Sequence, residues 1–293
     1  MKRTVTKAIF PVAGMGTRFL PATKSVPKEI MTLVDRPLIQ YAIDEARAAG
    51  IKEFIFVTSR GKSALEDYFD DAPVLEQELR RKKKTELLEV LRKTTMESGQ
   101  IAYIRQHRAK GLGHAVACAR RMIHDEPFAV ILPDDVIAAD KPCLAQMVEA
   151  YAETGGSMVA AMEVAPDRAS SYGILDVENN EGQALKVRGM VEKPESGTAP
   201  SNLAVIGRYI LSPRVMKHLT GLGAGAGGEI QLTDAIAREV DGDGVYGFRF
   251  EGQRYDCGSK AGFLQATVAF GLARPDLRDE LSEFLSALSL SSK

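Results

Sequence analysis

The sequence has few of the residues that mark disulfide frameworks, metal centres and membrane spans. Among its 293 residues there are three cysteines, four histidines and no tryptophan. The cysteines (Cys118, Cys143 and Cys257) are odd in number and form no C-x-x-C pair, so we expect reduced thiols in a cytoplasmic protein. No apolar run is long enough to span a bilayer, and the N-terminus does not resemble a signal peptide. The absence of H-E-x-x-H and G-x-S-x-G motifs removes the usual sequence support for a zinc protease or a serine hydrolase.

Charge and composition argue against two classes of partner. The formal net charge is -1, and 45% of the residues are hydrophobic. A nearly neutral chain has no overall field that attracts nucleic acid or an anionic membrane, so we expect neither as a partner. A chain of this length can bury a sizeable core. We predict a single domain over residues 1–293, with a helical arm at about 70–99 and two closing helices at about 260–293.

Residues 7–28 have the make-up of a phosphate-binding loop. The apolar residues at 8–10 and 12 predict a buried strand, and Gly14, Gly16, Arg18 and Lys28 follow it. Glycines let backbone N–H groups approach an anion, while Arg18 adds a planar fork of donors and Lys28 adds a point charge. This combination suits a triphosphate, although an ordinary strand-to-helix turn is a common alternative.

Two familiar phosphate motifs are incomplete in this chain. The dinucleotide motif G-x-G-x-x-G needs a glycine at position 19, where Phe19 stands. The tripeptide Gly61-Lys62-Ser63 resembles the end of a Walker loop, but the glycine required at position 56 is Phe56. Neither a standard nicotinamide-binding domain nor a P-loop NTPase is therefore supported.

Hydrophobic periodicity predicts a mixed α/β sheet. A helix at 38–49, ended by Gly50, connects the strands at 8–12 and 54–58, which is a βαβ unit. Ligands of such parallel sheets bind at the carboxyl ends of the strands, where the 14–18 loop lies. Further strands are predicted at 101–105, 128–132, 158–164, 173–177, 185–191, 205–211 and 245–250, and further helices at 113–124, 231–239, 260–272 and 277–288. Turns rather than long helices separate most of the later strands, which indicates a mixed sheet.

Residues 70–99 differ from the sheet-forming segments. Leucines recur there at helical spacing, and a run of basic residues occupies positions 80–84. Such a run can bind nucleic acid, but no aromatic residues interleave with it, and the acidic residues around it favour a solvated helix face. We therefore predict one or two helices that form a packing or association arm.

A set of motifs occurs along the chain in this order: AGMGTRFLPATKSVPKE, IRQHRAKGLGHAV, VILPDD, VEKP, APSNLAVIGRYIL, GEIQLTDAI and YDCGSKAGF. Together they resemble the motifs of the sugar-1-phosphate nucleotidyltransferases and, among these, of the bacterial UTP–glucose-1-phosphate uridylyltransferases. The resemblance covers almost the whole chain. It implies a Rossmann-like α/β nucleotidyltransferase fold with a mixed central β-sheet flanked by helices, a Mg2+ cofactor and no covalent enzyme intermediate.

The resemblance also implies roles for residues at the matching positions. The positions that bind the nucleotide are Ala13, Gly14, Gly16, Gln106 and Gly111. Those that carry the triphosphate cations are Arg18 and Lys28, and those that hold the metal are Asp134 and Asp256. Those that bind the sugar phosphate are Gly173, Glu192 and Lys193. Asp135 is an additional acid that some members of the family lack.

The implied reaction joins UTP and glucose 1-phosphate to give UDP-glucose and pyrophosphate. A phosphate oxygen of the sugar attacks the α-phosphorus of UTP, and this oxygen is already anionic at neutral pH, so no general base is needed. Catalysis would consist of positioning and charge neutralisation. We also expect the strand at 101–105 to enter the sheet beside the first strand, so that Gln106 lies near Gly14 and its amide pairs with uracil.

Three alternatives are open. The nearest is the same reaction with dTTP or another sugar phosphate, which the arm and the 106–114 stretch disfavour. A non-catalytic nucleotide-sugar-binding regulator would have lost its cations, whereas Arg18, Lys28 and Lys193 are present. A nucleic-acid-binding protein that uses the run at 80–84 is the third. The family commonly forms dimers or tetramers, so the resemblance implies a homodimer or a homotetramer.

Overall fold

A nine-stranded mixed sheet forms the centre of the protein, in a computed structural model that describes residues 4–291. The strands are β1 (Lys7–Pro11), β2 (Thr32–Leu33), β3 (Arg36–Pro37), β4 (Glu53–Thr58), β5 (Ile101–Arg105), β6 (Phe128–Ile131), β7 (Asp135–Ala138), β8 (Ser157–Glu163), β9 (Gly173–Val177), β10 (Ala184–Glu192), β11 (Leu203–Leu211), β12 (Val245–Arg249) and β13 (Gln253–Asp256). The main sheet has the order β5-β4-β1-β6-β11-β8-β12-β10-β9. The predicted mixed central sheet is confirmed.

Helices connect and cover these strands. They are α1 (Leu38–Ala48), α2 (Ser63–Asp67), α3 (Pro73–Arg81), α4 (Thr85–Thr94), α5 (Leu112–Cys118), α6 (Cys143–Thr154), α7 (Pro213–Thr220), α8 (Leu232–Ala237), α9 (Lys260–Ala273) and α10 (Arg278–Ser291). Two helices are shorter than predicted, because α5 ends before residue 124 and α8 ends before residue 239. After α5 the chain tightens into turns in which the N–H of Met122 donates to the carbonyl of Ala119 over 2.9 Å. These turns return Ile123 to the core, where it is 4% exposed.

The parallel half of the sheet contains β1, β4, β5 and β6. β1 pairs in parallel with β4 on one side and with β6 on the other. Helix α1 makes the predicted crossover from β1 to β4. Phe10 of β1 packs against two phenylalanines of β4, with ring centroids 6.1 Å away for Phe54 and 5.1 Å for Phe56. Since the four strands run in one direction, the loops that follow them leave from the same edge of the sheet.

The position of β5 corrects one expectation. β5 pairs with β4 and lies at the edge of the sheet, so β4 separates it from β1. The prediction that the strand at 101–105 enters beside the first strand is therefore wrong. Periodicity identifies a strand but not its neighbour, and here β5 pairs with the strand that precedes it in the chain, which is the commoner arrangement.

β11 joins the two halves of the sheet. It pairs antiparallel with β6 and with β8, and every residue from Leu203 to Leu211 is buried. The strand is apolar except for Tyr209 and for Arg208, which is 1% exposed. A strand buried on both faces normally contains an unbroken apolar run, so this charged residue needs buried partners.

α3 and α4 form the predicted arm and contact each other. A cavity of about 1200 Å³ separates part of the arm from residues 35–47. Within the basic run, Arg80, Arg81 and Lys82 each pair with a glutamate of α3 at distances of 2.6 to 3.0 Å. These pairs are exposed, as expected for a solvated helix face.

A second, smaller ladder lies outside the main sheet. β7 and β13 pair antiparallel, and neither of these four-residue strands was predicted. Helix α9 follows β13 directly and packs against it. Within residues 4–291, no helix combines the length and the apolar character that crossing a bilayer requires.

Candidate active site

The β7–β13 ladder brings two acidic loops together. In this ladder Asp135 lies opposite Asp256. The N–H of Cys257 donates to the carbonyl of Asp134 over 2.8 Å, which ties the two loops directly. Asp134 immediately precedes β7 and Asp256 ends β13, so two carboxylates that are distant in the chain become neighbours.

Gly258 has no side chain, and this leaves an open space toward which the carboxylates of Asp134 and Asp256 point. A Cβ atom at this position would be 2.8 Å from Oδ2 of Asp134, 3.1 Å from Oδ1 of Asp256 and 3.6 Å from Nη1 of Arg18. The Arg18 guanidinium donates to the carbonyl of Gly258 over 3.3 Å. The N–H of Gly258 donates to Oδ1 of Asp256 over 3.0 Å. Three of the predicted site residues therefore converge on one point.

Lys28 completes this charged group. Its ammonium lies 2.6 Å from Oδ2 of Asp134. Burial alone would lower the pKa of Lys28, but the carboxylates of Asp134 and Glu29 raise it above its ordinary value. Burial alone would raise the pKa of Asp134, but Lys28 and Arg18 hold it below its ordinary value. Lys28 and Asp134 are therefore both charged at neutral pH.

The loop after β1 supplies both cations from short helical turns. Arg18 belongs to the 3-10 turn Thr17–Phe19, and Lys28 belongs to the 3-10 turn Lys28–Ile30. The hydroxyl of Thr23 donates to the carbonyl of Gly16 over 2.8 Å, which folds the loop back on itself. A Cβ atom at Gly14 would meet no atom within 4 Å, so a ligand can approach the backbone there.

Asp135 has a different environment from Asp134. Its Oδ1 accepts a hydrogen bond from Nε of Arg254 over 2.5 Å, and its Oδ2 accepts one from the N–H of Gly207 over 3.1 Å. Arg254 also donates to the hydroxyl of Tyr172 over 3.3 Å and lies 5.5 Å from the centre of its ring. Asp135 therefore joins the small ladder to β11 and, through Arg254, to the segment before β9.

A buried ion pair supports the loop that carries Asp134. Nε and Nη2 of Arg208 lie 2.9 and 2.8 Å from the two carboxylate oxygens of Glu45 in α1. The guanidinium also donates to the carbonyls of Leu132 and Asp135, over 2.9 and 2.8 Å. These carbonyls stand on either side of Asp134, so the planar fork of Arg208 fixes the backbone of this loop.

Gln106 is oriented by the loop that follows β5. Its Nε2 donates to the carbonyl of Gly111 over 3.3 Å and lies 2.8 Å from Nδ1 of His114. Burial, together with Lys110, lowers the pKa of His114, so the imidazole is neutral at neutral pH and can accept this bond through Nδ1.

The loop after β4 connects Gln106 with the loop after β1. The N–H of Gln106 donates to the carbonyl of Thr58 over 2.8 Å. The hydroxyl of Ser59 donates to the carbonyl of Ala13 over 3.0 Å. The predicted nucleotide-binding residues thus lie along one edge of the sheet, with the end of β4 between them.

Gly173, Glu192 and Lys193 come together on neighbouring strands. Gly173 begins β9 and lies opposite Glu192 at the end of β10. Oε2 of Glu192 accepts a hydrogen bond from the hydroxyl of Thr233 over 2.7 Å, and a Cβ atom at Gly173 would be 3.1 Å from the same oxygen. Lys193 has a φ of 47°, in the left-handed region that few residues other than glycine adopt. Such backbone strain is common at functional sites.

A cavity of about 180 Å³ adjoins Gly173, Glu192 and Asp135. Its polar lining includes Gly173, Glu192 and Thr233 on one side and Asp135 and Arg254 on the other, and leucine and valine side chains contribute to the rest. Asp135 directly follows Asp134 in the chain, so the cavity lies near the charged group. Its size suits one small molecule.

The carboxylates fit a divalent metal that is also held by substrate. Mg2+ in phosphate-transfer sites commonly takes one or two carboxylates together with phosphate oxygens. Asp134 and Asp256 supply two such ligands, and the missing side chain of Gly258 leaves room between them. No group of three or more His, Cys, Asp or Glu residues that could hold a metal alone is found in the described part of the chain. The donor set therefore suits a metal shared between protein and phosphates.

Several supporting residues were missed by the sequence analysis. Arg208 is a lone charge in the apolar run LAVIGRYIL, which is a usable signal for a buried ion pair. Thr233 lies within the motif GEIQLTDAI, and Arg254 directly precedes the motif YDCGSKAGF. Neither type of residue stands out in a sequence, because their roles depend on partners that only the fold supplies.

The chain belongs to a family of nucleotide-transferring enzymes: its sequence matches the family described as nucleotidyl transferase over residues 7–271. This family generally uses a divalent metal ion. The chain is 50% identical over 289 residues to UTP–glucose-1-phosphate uridylyltransferase 2 of Staphylococcus saprophyticus, and the match covers 99% of this chain and 100% of that protein. The resemblance to the uridylyltransferases is therefore confirmed.

Solved structures show the same relationship. A UDP-glucose pyrophosphorylase complexed with UDP-glucose is 42% identical, with a TM-score of 0.85 over 92% of this chain and 100% of that chain. A UTP-bound enzyme of this kind from Acinetobacter baumannii is 41% identical, with a TM-score of 0.89 over 96% of this chain and 99% of that chain. The predicted nucleotidyltransferase fold is thus confirmed over nearly the whole chain.

Proposed function

We infer that this protein transfers the uridylyl group of UTP to glucose 1-phosphate, producing UDP-glucose and pyrophosphate. The observation that carries this conclusion is the convergence of Arg18, Lys28, Asp134 and Asp256 near a small cavity, in a chain about half identical to enzymes of that name. Two cations and a metal-binding pair of carboxylates are what the joining of two phosphate anions requires.

We assign the uracil and ribose side of the site to the loops after β1 and β5. Their nucleotide-binding residues are Ala13, Gly14, Gly16, Gln106 and Gly111. The accessible backbone at Gly14 and the held amide of Gln106 support this assignment. The two donors of this amide are held by the carbonyl of Gly111 and by Nδ1 of His114, which leaves Oε1 to accept a hydrogen bond from the imide N–H of uracil.

We assign the triphosphate to Arg18 and Lys28. Both cations lie at the point where the two carboxylates converge, so they can neutralise the α-phosphate that is attacked and the pyrophosphate that leaves. Asp134 and Asp256 would hold Mg2+. When bound, this ion supplies positive charge that orients the phosphates and stabilises the charge developing in the transition state.

We assign glucose 1-phosphate to the cavity between the small ladder and β9. Glu192, held by Thr233, is placed to accept hydrogen bonds from sugar hydroxyls, and Gly173 lets the ligand approach the backbone. Lys193 follows directly, and its exposed ammonium can reach the sugar phosphate. Because Asp135, which directly follows Asp134 in the chain, lines this cavity, the attacking phosphate oxygen would stand close to the α-phosphorus.

The chain's own residues then act by positioning. The nucleophile is a phosphate anion, so no residue has to remove a proton. Holding two reactants in line contributes up to about 7–11 kcal/mol to lowering a barrier in the best cases. Fixed cations that need no reorganisation during the reaction contribute the remainder.

Pyrophosphate release is the decisive experiment. With Mg2+ and glucose 1-phosphate present, we expect rapid release from UTP, slower release from dTTP and very little from CTP. Asp256→Asn protein, purified in parallel, controls for contaminating enzymes. Preferential use of dTTP would favour the thymidylyltransferase alternative. Tight UDP-glucose binding without any release would favour a non-catalytic regulator.

The arm is proposed to mediate self-association. Val74, Leu87 and Val90 are 81%, 54% and 61% exposed, an unusual concentration of apolar surface on two short helices. We propose that they contact a second copy in a homodimer or homotetramer. Cys118, Cys143 and Cys257 are free thiols, which supports a proposed cytoplasmic location.

A further inference from the structure

The segment Gly61-Lys62-Ser63, which resembles part of a Walker loop in sequence, has another place in the fold. It follows β4 and leads into α2, which begins at Ser63, and Lys62 is only 6% exposed. The Lys62 ammonium lies 2.7 Å from Oε2 of Glu29, a residue that is 1% exposed. Glu29 directly follows Lys28 in the same 3-10 turn. The loop after β4 therefore contacts the turn that supplies a proposed phosphate cation.

The Lys62–Glu29 pair is buried and has few other partners. Oε1 of Glu29 has no hydrogen-bond partner among residues 4–291. Burial raises the pKa of Glu29 and lowers that of Lys62, so the charge on each residue depends on the other. Two cations, Lys62 and Lys28, favour the charged form of Glu29 and so oppose the rise in its pKa.

Four charges of alternating sign stand together here. Lys62 pairs with Glu29 at 2.7 Å, and Lys28 pairs with Asp134 at 2.6 Å. The carboxylate of Glu29 also acts on Lys28, whose pKa it raises. Since Lys62 balances the charge of Glu29 through Oε2, the ammonium of Lys28 remains available to Asp134 and to phosphate.

The same loop contacts the nucleotide loop at a second point. The hydroxyl of Ser59 donates to the carbonyl of Ala13 over 3.0 Å. The loop after β4 thus holds the loop after β1 near its beginning, through Ser59, and near its end, through Lys62. A loop fixed at both ends keeps the groups between them in place.

We propose that Lys62 and Glu29 are positioning residues for the transfer reaction and act on the triphosphate through Lys28. This proposal rests on the phosphate-binding role proposed for Lys28. Lys62 keeps the Glu29 carboxylate paired, so the Lys28 ammonium is directed toward Asp134 and the phosphates. Without Lys62, Lys28 is the remaining cation that acts on Glu29, so the buried carboxylate stays charged only by drawing Lys28 toward itself and away from the phosphates.

The test is the variant Lys62→Met, which keeps the length of the side chain and removes its charge. We expect kcat/KM for UTP to fall tenfold or more, while the KM for glucose 1-phosphate stays within twofold. The equilibrium affinity for UTP, measured by calorimetry without the sugar phosphate, should also fall. The double variant Lys62→Met/Glu29→Gln should recover most of the loss, because no unpaired carboxylate remains to attract Lys28.

Lys7→Met is a matched control. Lys7 is 7% exposed and pairs with Glu53 and Glu126, but it begins β1, at the end of the strand opposite to the nucleotide loop. Its removal should lower the thermal midpoint and leave kcat/KM unchanged. Lys7→Met should lose stability without losing activity. If Lys62→Met behaved in the same way, Lys62 would have only a structural role and the proposal would be wrong. A double variant no better than Lys62→Met would also overturn it.

Failure of the proposal is distinguishable from failure of the proposed function. Wild-type protein that released no pyrophosphate would refute the function, while the UTP affinities of the variants would still decide the role of Lys62. A Lys28→Met variant that bound UTP as tightly as wild type would refute the role of Lys28 and, with it, this proposal. If Lys28→Met weakened UTP binding while Lys62→Met bound UTP as wild type does, only the proposal for Lys62 and Glu29 would be refuted. The phosphate-binding role of Lys28 would stand.

Discussion

Replacing Gly258 with alanine tests whether the two acidic loops meet at a metal site. The added methyl would stand 2.8 Å from Oδ2 of Asp134 and 3.1 Å from Oδ1 of Asp256, whereas ordinary contacts begin at 3.4 Å. The Asp134 oxygen would therefore have to move by about 0.6 Å. The backbone of Gly258 lies outside the left-handed region, so alanine itself causes no backbone strain. The perturbation is confined to the space between the carboxylates.

The size of the effect follows from this displacement. A misplacement of about 1 Å in a positioned group can cost about 100-fold in rate. For the smaller shift here we expect kcat to fall by roughly 10- to 100-fold, which corresponds to about 1.4–2.7 kcal/mol of transition-state stabilisation. The Mg2+ concentration that gives half-maximal rate should rise, because two ligands are displaced together.

The assay is the initial rate of pyrophosphate release over a range of Mg2+ concentrations, with the thermal midpoint measured in parallel. Gly221→Ala is the control, since a Cβ atom there would meet its nearest neighbour, the carbonyl oxygen of His218, only at 3.9 Å. If Gly258→Ala kept the wild-type rate and the wild-type Mg2+ dependence, Asp134 and Asp256 would not share a metal.

Three further outcomes are expected. Gln106→Ala should raise the KM for UTP and reduce the preference for UTP over CTP, with the KM for glucose 1-phosphate unchanged. If the variant lost affinity for the sugar phosphate instead, Gln106 would belong to the sugar-phosphate half of the site. The pKa of His114 is lowered below 6.5, so its neutral form persists until the pH falls through that lowered value. Protonation then turns Nδ1 into a donor and forces the Gln106 amide to rotate, so the KM for UTP should rise in acid. If a His114→Leu variant showed the same rise, titration of His114 would not be its cause. Replacing both Leu87 and Val90 with lysine should lower the mass of the assembly measured by light scattering while the activity is largely retained. An unchanged mass would exclude the arm as the contact between copies.

Local patterns were sufficient for most of the secondary structure. The apolar run before Gly14, the helical spacing before Gly50 and the apolar residues after Gly173 are local patterns, and the elements β1, α1 and β9 appear where they were predicted. Helix ends were less well predicted, because α5 stops where tertiary contacts return Ile123 to the core.

The order of the strands was beyond local patterns. β5 was expected beside β1 and lies beside β4 instead. A strand's periodicity records which of its faces is buried, and this is the same whichever neighbour it has. The ladder of β7 and β13 was missed for a similar reason, since four-residue strands contain too little alternation to be recognised.

Local sequence patterns are enough to indicate the type of chemistry. The glycines, Arg18 and Lys28 belong to the loop after β1, and the acid at position 134 follows β6. Strand direction places such loops at the ligand edge of a parallel sheet. Which charged side chains pair with each other depends on the fold. Asp134 and Asp135 are adjacent in the chain, yet Asp134 joins Lys28 while Asp135 accepts hydrogen bonds from Arg254 and Gly207. Ion pairs and metal sites depend on distances between segments that are far apart in sequence, and those distances exist only once the chain has folded.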